Sequence, residues 1–269
     1  MKSFTMKALA VAVLGLAGIG SAVAACPTLT TNTGNSTPGG GGAWTSQTVG
    51  GGGNMNITSP GLNSTGCQLV VNVGASPLAN VRAFVSDTSP VDEPRYRARF
   101  YFDTSALTLT LANYQTEMLN SFANTAPGSF GTDEIEVYLI GGASPALRFL
   151  VADAGQASGF KTITQTLPAS ANKHYYVEFD LTKGAGSSSV VACNGGDAGC
   201  FRYWVTAEGT SSSEGSPSGT YSANNNGWSG VTQTNLGLFS TTANFRTNNH
   251  SLNLAVDEFD SRRQTFIGQ

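Results

Sequence analysis

The chain has 269 residues, only 12% of them charged, with 33 glycines and a net charge of −3. That balance offers no basic surface to recruit nucleic acid or an anionic membrane. It is the profile of an extracellular β-protein with polar loops rather than a helical cytosolic enzyme, and the length suits one large β-domain.

Lys2 and Lys7 precede an apolar run from Ala8 to Ile19, followed by Ala22-Val23-Ala24. This predicts a bacterial-type signal peptide over residues 1–24, cleaved after Ala24, its apolar run too short to span a membrane. The mature chain is expected to be secreted, on the cell surface or in the periplasm. Val23-Ala24-Ala25-Cys26 also loosely fits a lipobox, which would instead put a lipid on Cys26. The cysteines number four: Cys26, Cys67, Cys193 and Cys200. In an oxidising compartment an even set is expected to pair. Cys193 and Cys200 flank Asn-Gly-Gly-Asp-Ala-Gly, which reads as a stapled turn and leaves Cys26 for Cys67. Lipidation of Cys26 would strand Cys67 as a free thiol.

Residues 25–54 are rich in Gly, Ser and Thr and read as a flexible arm with an anchor at Trp44. Residues 55–269 read as the folded domain. Met55–Thr58 is expected as a first edge strand, then Cys67–Val73 and Val81–Val85. The stretch Arg95–Asp103 alternates at period two, with Tyr96, Ala98, Phe100 and Phe102 on one face. Its other face carries Arg95, Arg97, Arg99, Tyr101 and Asp103 and should meet water or partners of opposite charge. Leu111, Tyr114, Met118 and Phe122 then recur at near-helical spacing, which suggests a short helix or an ordered excursion. Strands resume at Glu134–Ile140, Ala146–Val151, Phe160–Leu167 and His174–Leu181. Val190–Ala192 and Phe201–Thr206 read as a hairpin around the Cys193–Cys200 turn. Glu208–Gly230 reads as a long polar loop holding Tyr221 and Trp228, and Asn235–Ser240 and Ser251–Phe259 close the series. So many short strands between polar loops predict an all-β, two-sheet antiparallel sandwich.

Two pieces carry a resemblance. Asp92-Glu93-Pro94-Arg95-Tyr96-Arg97-Ala98-Arg99-Phe100-Tyr101-Phe102 resembles a central strand of concanavalin A-like (LamG-like) jelly rolls of secreted bacterial proteins. The ending Val256-Asp257-Glu258-Phe259-Asp260, continuing to Gly268, resembles the terminal strand and tail of the same group. The resemblance implies a jelly roll with one convex and one concave sheet over roughly Met55 to Gly268. That superfamily holds carbohydrate-binding modules, adhesion modules and some glycosidases, so membership does not fix a function.

The outward faces of the strands concentrate charge in a chain otherwise poor in it. If the strands share a sheet, Arg97, Arg99, Tyr101, Glu134, Glu136, Arg202 and Trp204 form a groove in which charged groups bond sugar hydroxyls and an aromatic stacks on a ring. The bland counterpart is a ladder of cross-strand ion pairs, which Glu178 and Asp180 would join. Asp133-Glu134-Ile135-Glu136-Val137-Tyr138 loosely resembles the Glu-x-Asp-x-Glu strand of laminarinase-type glycosidases, but Glu136 and Tyr138 break the pattern. Two histidines, His174 and His250, have no metal-ligand spacing. No cofactor is expected, apart from a structural Ca²⁺ that Asp87, Asp92, Glu93, Asp257, Glu258 and Asp260 could hold with hard oxygens. The reading is a non-catalytic secreted module that binds a polysaccharide or another extracellular polymer. The alternatives are an extracellular structural, assembly or adhesion subunit that meets cell-surface protein, and a glycoside hydrolase.

Overall fold

The computed structural model describes residues 26, 44–75, 80–123, 133–184, 193, 199–210, 213–225, 227, 229–262 and 265–269. The segment read as a signal peptide, the strand expected at Val190–Ala192 and Trp228 lie outside them. In chain order the strands are β1 (Ser46–Gly50), β2 (Asn54–Thr58), β3 (Gln68–Asn72), β4 (Arg82–Asp87), β5 (Arg95–Asp103), β6 (Gln115–Ala123) and β7 (Asp133–Ile140). They continue with β8 (Ala146–Ala152), β9 (Phe160–Thr166), β10 (His174–Thr182), β11 (Gly199–Ala207), β12 (Gly219–Ala223), β13 (Val231–Thr241) and, after helix α1 (Ala243–Asn249), β14 (Asn253–Arg262).

Two seven-stranded sheets result, ordered β1-β4-β13-β6-β7-β8-β9 and β12-β11-β10-β5-β14-β3-β2. Every pairing is antiparallel. The chain is a two-sheet β-sandwich jelly roll. Its core fills the space between the sheets as the period-two pattern demands: Tyr96, Ala98, Phe100 and Phe102 of β5 are all fully buried there. Phe149 on β8 packs against Phe201 and Tyr203 on β11 at ring-centroid distances of 5.5 and 4.8 Å, locking one sheet onto the other. The expected disulfides Cys26–Cys67 and Cys193–Cys200 are both formed, consistent with an oxidising environment. No helix among the described residues is long and apolar enough to cross a membrane.

Four elements differ from the sequence reading. Residues 46–50, assigned to the flexible arm, form β1 on the edge of the first sheet, and Trp44 is buried with its ring 4.6 Å from Phe259. The near-helical spacing around Met118 belongs to β6. A bulge between Glu117 and Leu119 turns Met118 and Leu119 inward together, and two adjacent buried residues break a period-two signal. Facing it, β13 is irregular between Leu236 and Ser240, and Gly237 sits there at φ 138°, where a Cβ would lie 2.5 Å from the Ala83 carbonyl oxygen. The long loop 208–230 contains β12, paired with β11. Helix α1 was not foreseen, since Ala-Asn-Phe-Arg-Thr-Asn-Asn has weak helix propensity. Thr242 caps it by accepting from the Phe245 amide at 3.3 Å, and Phe245 anchors it in the core.

Candidate functional site

The face predicted as a groove is divided between the two sheets. Arg97, Arg99 and Tyr101 on β5 and Arg202 and Trp204 on β11 share the outer face of the second sheet, whereas Glu134 and Glu136 lie on β7 of the first. Register therefore gives the arginines other acids: Asp180 lies between Arg97 and Arg202, and Glu178 between Arg99 and Trp204. Arg95 grips Asp180 from Nε and Nη2 at 2.9 and 2.8 Å, and Arg202 Nη2 donates to it at 2.5 Å. Burial alone would raise the Asp180 carboxyl, but the hydrogen bonds from Arg95 and Arg202 outweigh it and hold the group below the usual range. Arg97 Nε pairs with Glu178, and Arg97 Nη1 reaches Glu214 at 2.9 Å.

This face is not open to solvent. The segment Phe266–Gln269 lies across it: the amides of Ile267 and Gly268 each donate to Glu178 at 3.1 Å, and Arg99 Nη1 donates to the Gly268 carbonyl at 2.7 Å. Arg99 Nη2 completes its own set on Glu258 at 3.0 Å. Tyr101, Tyr176, Trp204 and Leu62 make a small apolar cluster beneath this cover. Trp204 is only 4% exposed, with the Arg97 and Arg202 guanidiniums 4.6 and 5.3 Å from its ring centre. The expectation that Arg97 and Trp204 face water fails, because the tail supplies a third layer over this sheet. Of the acids considered for Ca²⁺, Asp257 is instead fully buried and accepts from the Leu62 and Glu258 amides at 2.9 and 2.8 Å. Among the described residues no group of three or more His, Cys, Asp or Glu is arranged to hold a metal ion.

The outer face of the first sheet carries a different arrangement. Register lines up Ser86 of β4, Asn235 of β13, Asn120 of β6 and Glu136 of β7 in one row across the strands. A relay of side chains runs through it. Gln233 donates to Asn235 at 2.9 Å, Asn235 to Asn120 at 2.9 Å, and Asn120 to the Glu117 carboxyl at 2.8 Å. The Tyr138 hydroxyl donates to Glu136 at 2.5 Å and also meets Glu117, so one phenol links two carboxyls. Arg148 on β8 lies with its guanidinium 5.2 Å from the Tyr138 ring centre and bonds Gln115. Asn120, Asn235 and Glu117 are buried; Gln233, Glu136, Tyr138 and Arg148 are partly exposed and form the surface of the relay.

Burial, reinforced by the Glu136 charge, pushes the Glu117 carboxyl up to about 8, so it keeps its proton at neutral pH. Burial also raises Glu136, which the Tyr138 hydrogen bond partly offsets. Glu134, at the edge of the same strand, rises to about 8 for the same reason, with Lys183 pulling against it. Beside the relay is a depression of about 470 Å³ lined by Ser46, Thr48, Phe84, Ser86, Phe122 and Phe239, among others. The Phe239 ring centre is 4.9 Å from Phe84 and 6.2 Å from Phe122, giving an aromatic patch at the end of an amide row. Of this site the sequence reading picked out only Glu134 and Glu136. Glu117 and Asn120 were hidden by the bulge in β6, and the one available signal was the apolar pair Met118-Leu119 set between polar residues.

No family model matches the chain, and no curated protein matches it. Among solved structures it is similar to the endo-β-1,4-glucuronan lyase from the fungus Trichoderma reesei, with TM-score 0.56 and 13% identity over 86% of this chain and 94% of that one. The marine PL-14 alginate lyase from Aplysia kurodai matches with TM-score 0.51 and 12% identity, over 87% and 100% of the two chains. The binding domain of botulinum neurotoxin serotype C1 matches with TM-score 0.50 and 9% identity over 83% of this chain, which spans 45% of that structure. At such identities the likeness is one of fold. All three likenesses agree with the two-sheet architecture built from the sequence pattern.

Proposed function

We propose that the protein is a secreted glycan-binding β-sandwich, with the saccharide held on the outer face of the first sheet. The observation that supports this reading is the side-chain relay Gln233–Asn235–Asn120–Glu117 beside the Phe84–Phe122–Phe239 patch. Sugars present alternating hydroxyls and apolar C–H faces. A row of amides offers donors and acceptors at fixed spacing, and an aromatic patch takes the apolar face. The buried amides hold Gln233 in place, and a protonated Glu117 ends the relay without a buried charge. That two structures of this fold are polysaccharide lyases is in keeping with a sugar partner.

The test is a glycan array on the mature protein, repeated with Phe239→Ala and Gln233→Ala. Each substitution should lower the affinity for the retained polysaccharide by about 5- to 100-fold, the usual cost of removing an anchor, with the melting temperature nearly unchanged. Full retention of binding in both variants would place the site elsewhere. One observation favours a second reading, glycan cleavage: Tyr138 bridges two carboxyls, one of which keeps its proton. Release of new reducing ends from the bound polysaccharide, abolished by Glu117→Gln, would establish it.

A further inference from the structure

The second sheet's outer face holds more donors than the chain satisfies. Arg95, Arg97 and Arg202 surround Asp180, and Arg97 and Arg202 flank the Trp204 ring. Four buried N–H-bearing atoms in this cluster, Arg95 Nη1, Arg97 Nη2, Arg202 Nε and Trp204 Nε1, have no hydrogen-bond partner among the described residues. Arg97 is 1% exposed and Trp204 4%. Buried N–H groups are rarely left unpaired; the unpartnered Thr182 hydroxyl opposite Arg95 can itself accept, but the other orphans of the cluster are donors, so the missing component is an acceptor.

Charge points the same way. Against three guanidiniums the buried acids of the cluster are two, Asp180 and Glu178, and Glu178 also accepts from Tyr176, Ile267 and Gly268. The balance is closed by Glu214, whose side chain is 43% exposed, unlike the 0–1% of Glu178 and Asp180. Its Oε1 lies 2.9 Å from Arg97 Nη1 and 3.7 Å from Arg202 Nη2. Glu214 is therefore a carboxylate from the rim resting on the outer end of a preformed arginine pair.

We propose that Arg97 and Arg202, with Trp204 between them, form a carboxylate-binding subsite that Glu214 occupies in cis and that the carboxylate of an acidic saccharide takes in its place. Guanidinium forks fit a planar carboxylate, and the resident group is itself one, so the geometry is already that of the ligand class. Displacing Glu214 returns a half-exposed side chain to water, which costs little. The incoming carboxylate meets the two groups Glu214 touches, Arg97 Nη1 and Arg202 Nη2. The saccharide half of this inference rests on the glycan reading above; the carboxylate half stands on the second sheet alone.

The experiment titrates the full chain and Glu214→Gln with oligoglucuronate by calorimetry, beside a carboxyl-reduced oligomer of the same length and oligoglutamate. Removing the competing carboxylate should tighten oligoglucuronate binding about tenfold, within the range for one close charge pair. The reduced oligomer should not bind this site. Arg202→Gln in the Glu214→Gln background should abolish the gain, whereas Phe239→Ala should leave it intact, which separates this subsite from the first-sheet face. Unchanged affinity in folded Glu214→Gln would show that the unpaired N–H groups hold water only and would overturn the proposal. Equal binding of the reduced oligomer would remove the carboxylate, and equal binding of oligoglutamate would remove the saccharide.

Discussion

Glu117 supplies the sharpest test of the first-sheet site, because its protonation ties site to stability. The residue is 5% exposed, and its carboxyl accepts from Asn120 and rises from an ordinary 4.5 to about 8. Between those values the folded chain keeps a proton that the unfolded chain has released, so this group's contribution to stability is greatest below about pH 4.5 and falls as pH rises toward 8. At about 1.4 kcal/mol per pH unit the gap gives an upper figure of about 5 kcal/mol, which relaxation and coupling to Glu136 reduce to about 2–3. Glu117→Gln keeps the carbonyl that accepts from Asn120 and removes the ionisation. In urea melts with the disulfides intact, the variant should match the wild type near pH 5 and exceed it by about 2–3 kcal/mol at pH 8. Glu134, also raised to about 8, leaves residual pH dependence in the variant, which a second Glu134→Gln change should flatten further. A Glu117→Gln chain with the wild-type pH profile would show that water reaches this carboxyl, and the relay would lose its uncharged end.

Three further outcomes follow from the packing. Arg97→Ala should destabilise by about 3 kcal/mol in denaturant melts, since it strands the buried Glu178; a loss under about 1 kcal/mol would mean the tail does not seal that face. Trp204→Ala and Phe100→Ala should each cost about 3–5 kcal/mol, the cost of emptying a filled aromatic site, and a silent Trp204→Ala would place the indole in water. Replacing Cys26 and Cys67 by Ser should cost about 4 kcal/mol by chain entropy, given the 41-residue separation, against about 2.5 for the Cys193–Cys200 pair; the reverse order in melts would refute that account.

The fold was largely legible because its rule is local. Period-two alternation in β5, β7 and β10 places Phe100, Val137 and Val177 in the core, and each is fully buried. The site was less legible because it depends on which strands become neighbours. Outward charge on β5, β7, β10 and β11 reads as one face only if all four share a sheet, and β7 does not. Nor does alternation show that a face pointing away from the core will be covered. The ending to Gly268 reads as a tail by resemblance, but nothing in Phe266–Gln269 shows which face it covers, and its two amides on Glu178 turn an apparent groove into an interior. Bulges are the third cause: the one between Glu117 and Leu119 shifts phase within β6, so Glu117 and Asn120 come to one face although three apart in sequence.

These two outer faces solve opposite electrostatic problems, and the proposed glycan site rests on that difference. On the second sheet the charges cancel internally: Arg95 with Asp180, Arg97 with Glu178, Arg99 with Glu258. Such pairs fix register and exclude water but leave little to offer a neutral ligand; only at the rim, where Glu214 completes the balance, is there a place for an anion. On the first sheet the buried groups of the relay are amides and a carboxyl that retains its proton, hydrogen-bonded to one another with no ion pair to break. A hydroxyl-rich polymer can exchange water at the exposed end of this row, Gln233, at small desolvation cost. That contrast is why the proposed glycan site is on the sheet with fewer charged pairs, while the arginine-rich strand closes the second sheet and offers a ligand only the Arg97 end at Glu214.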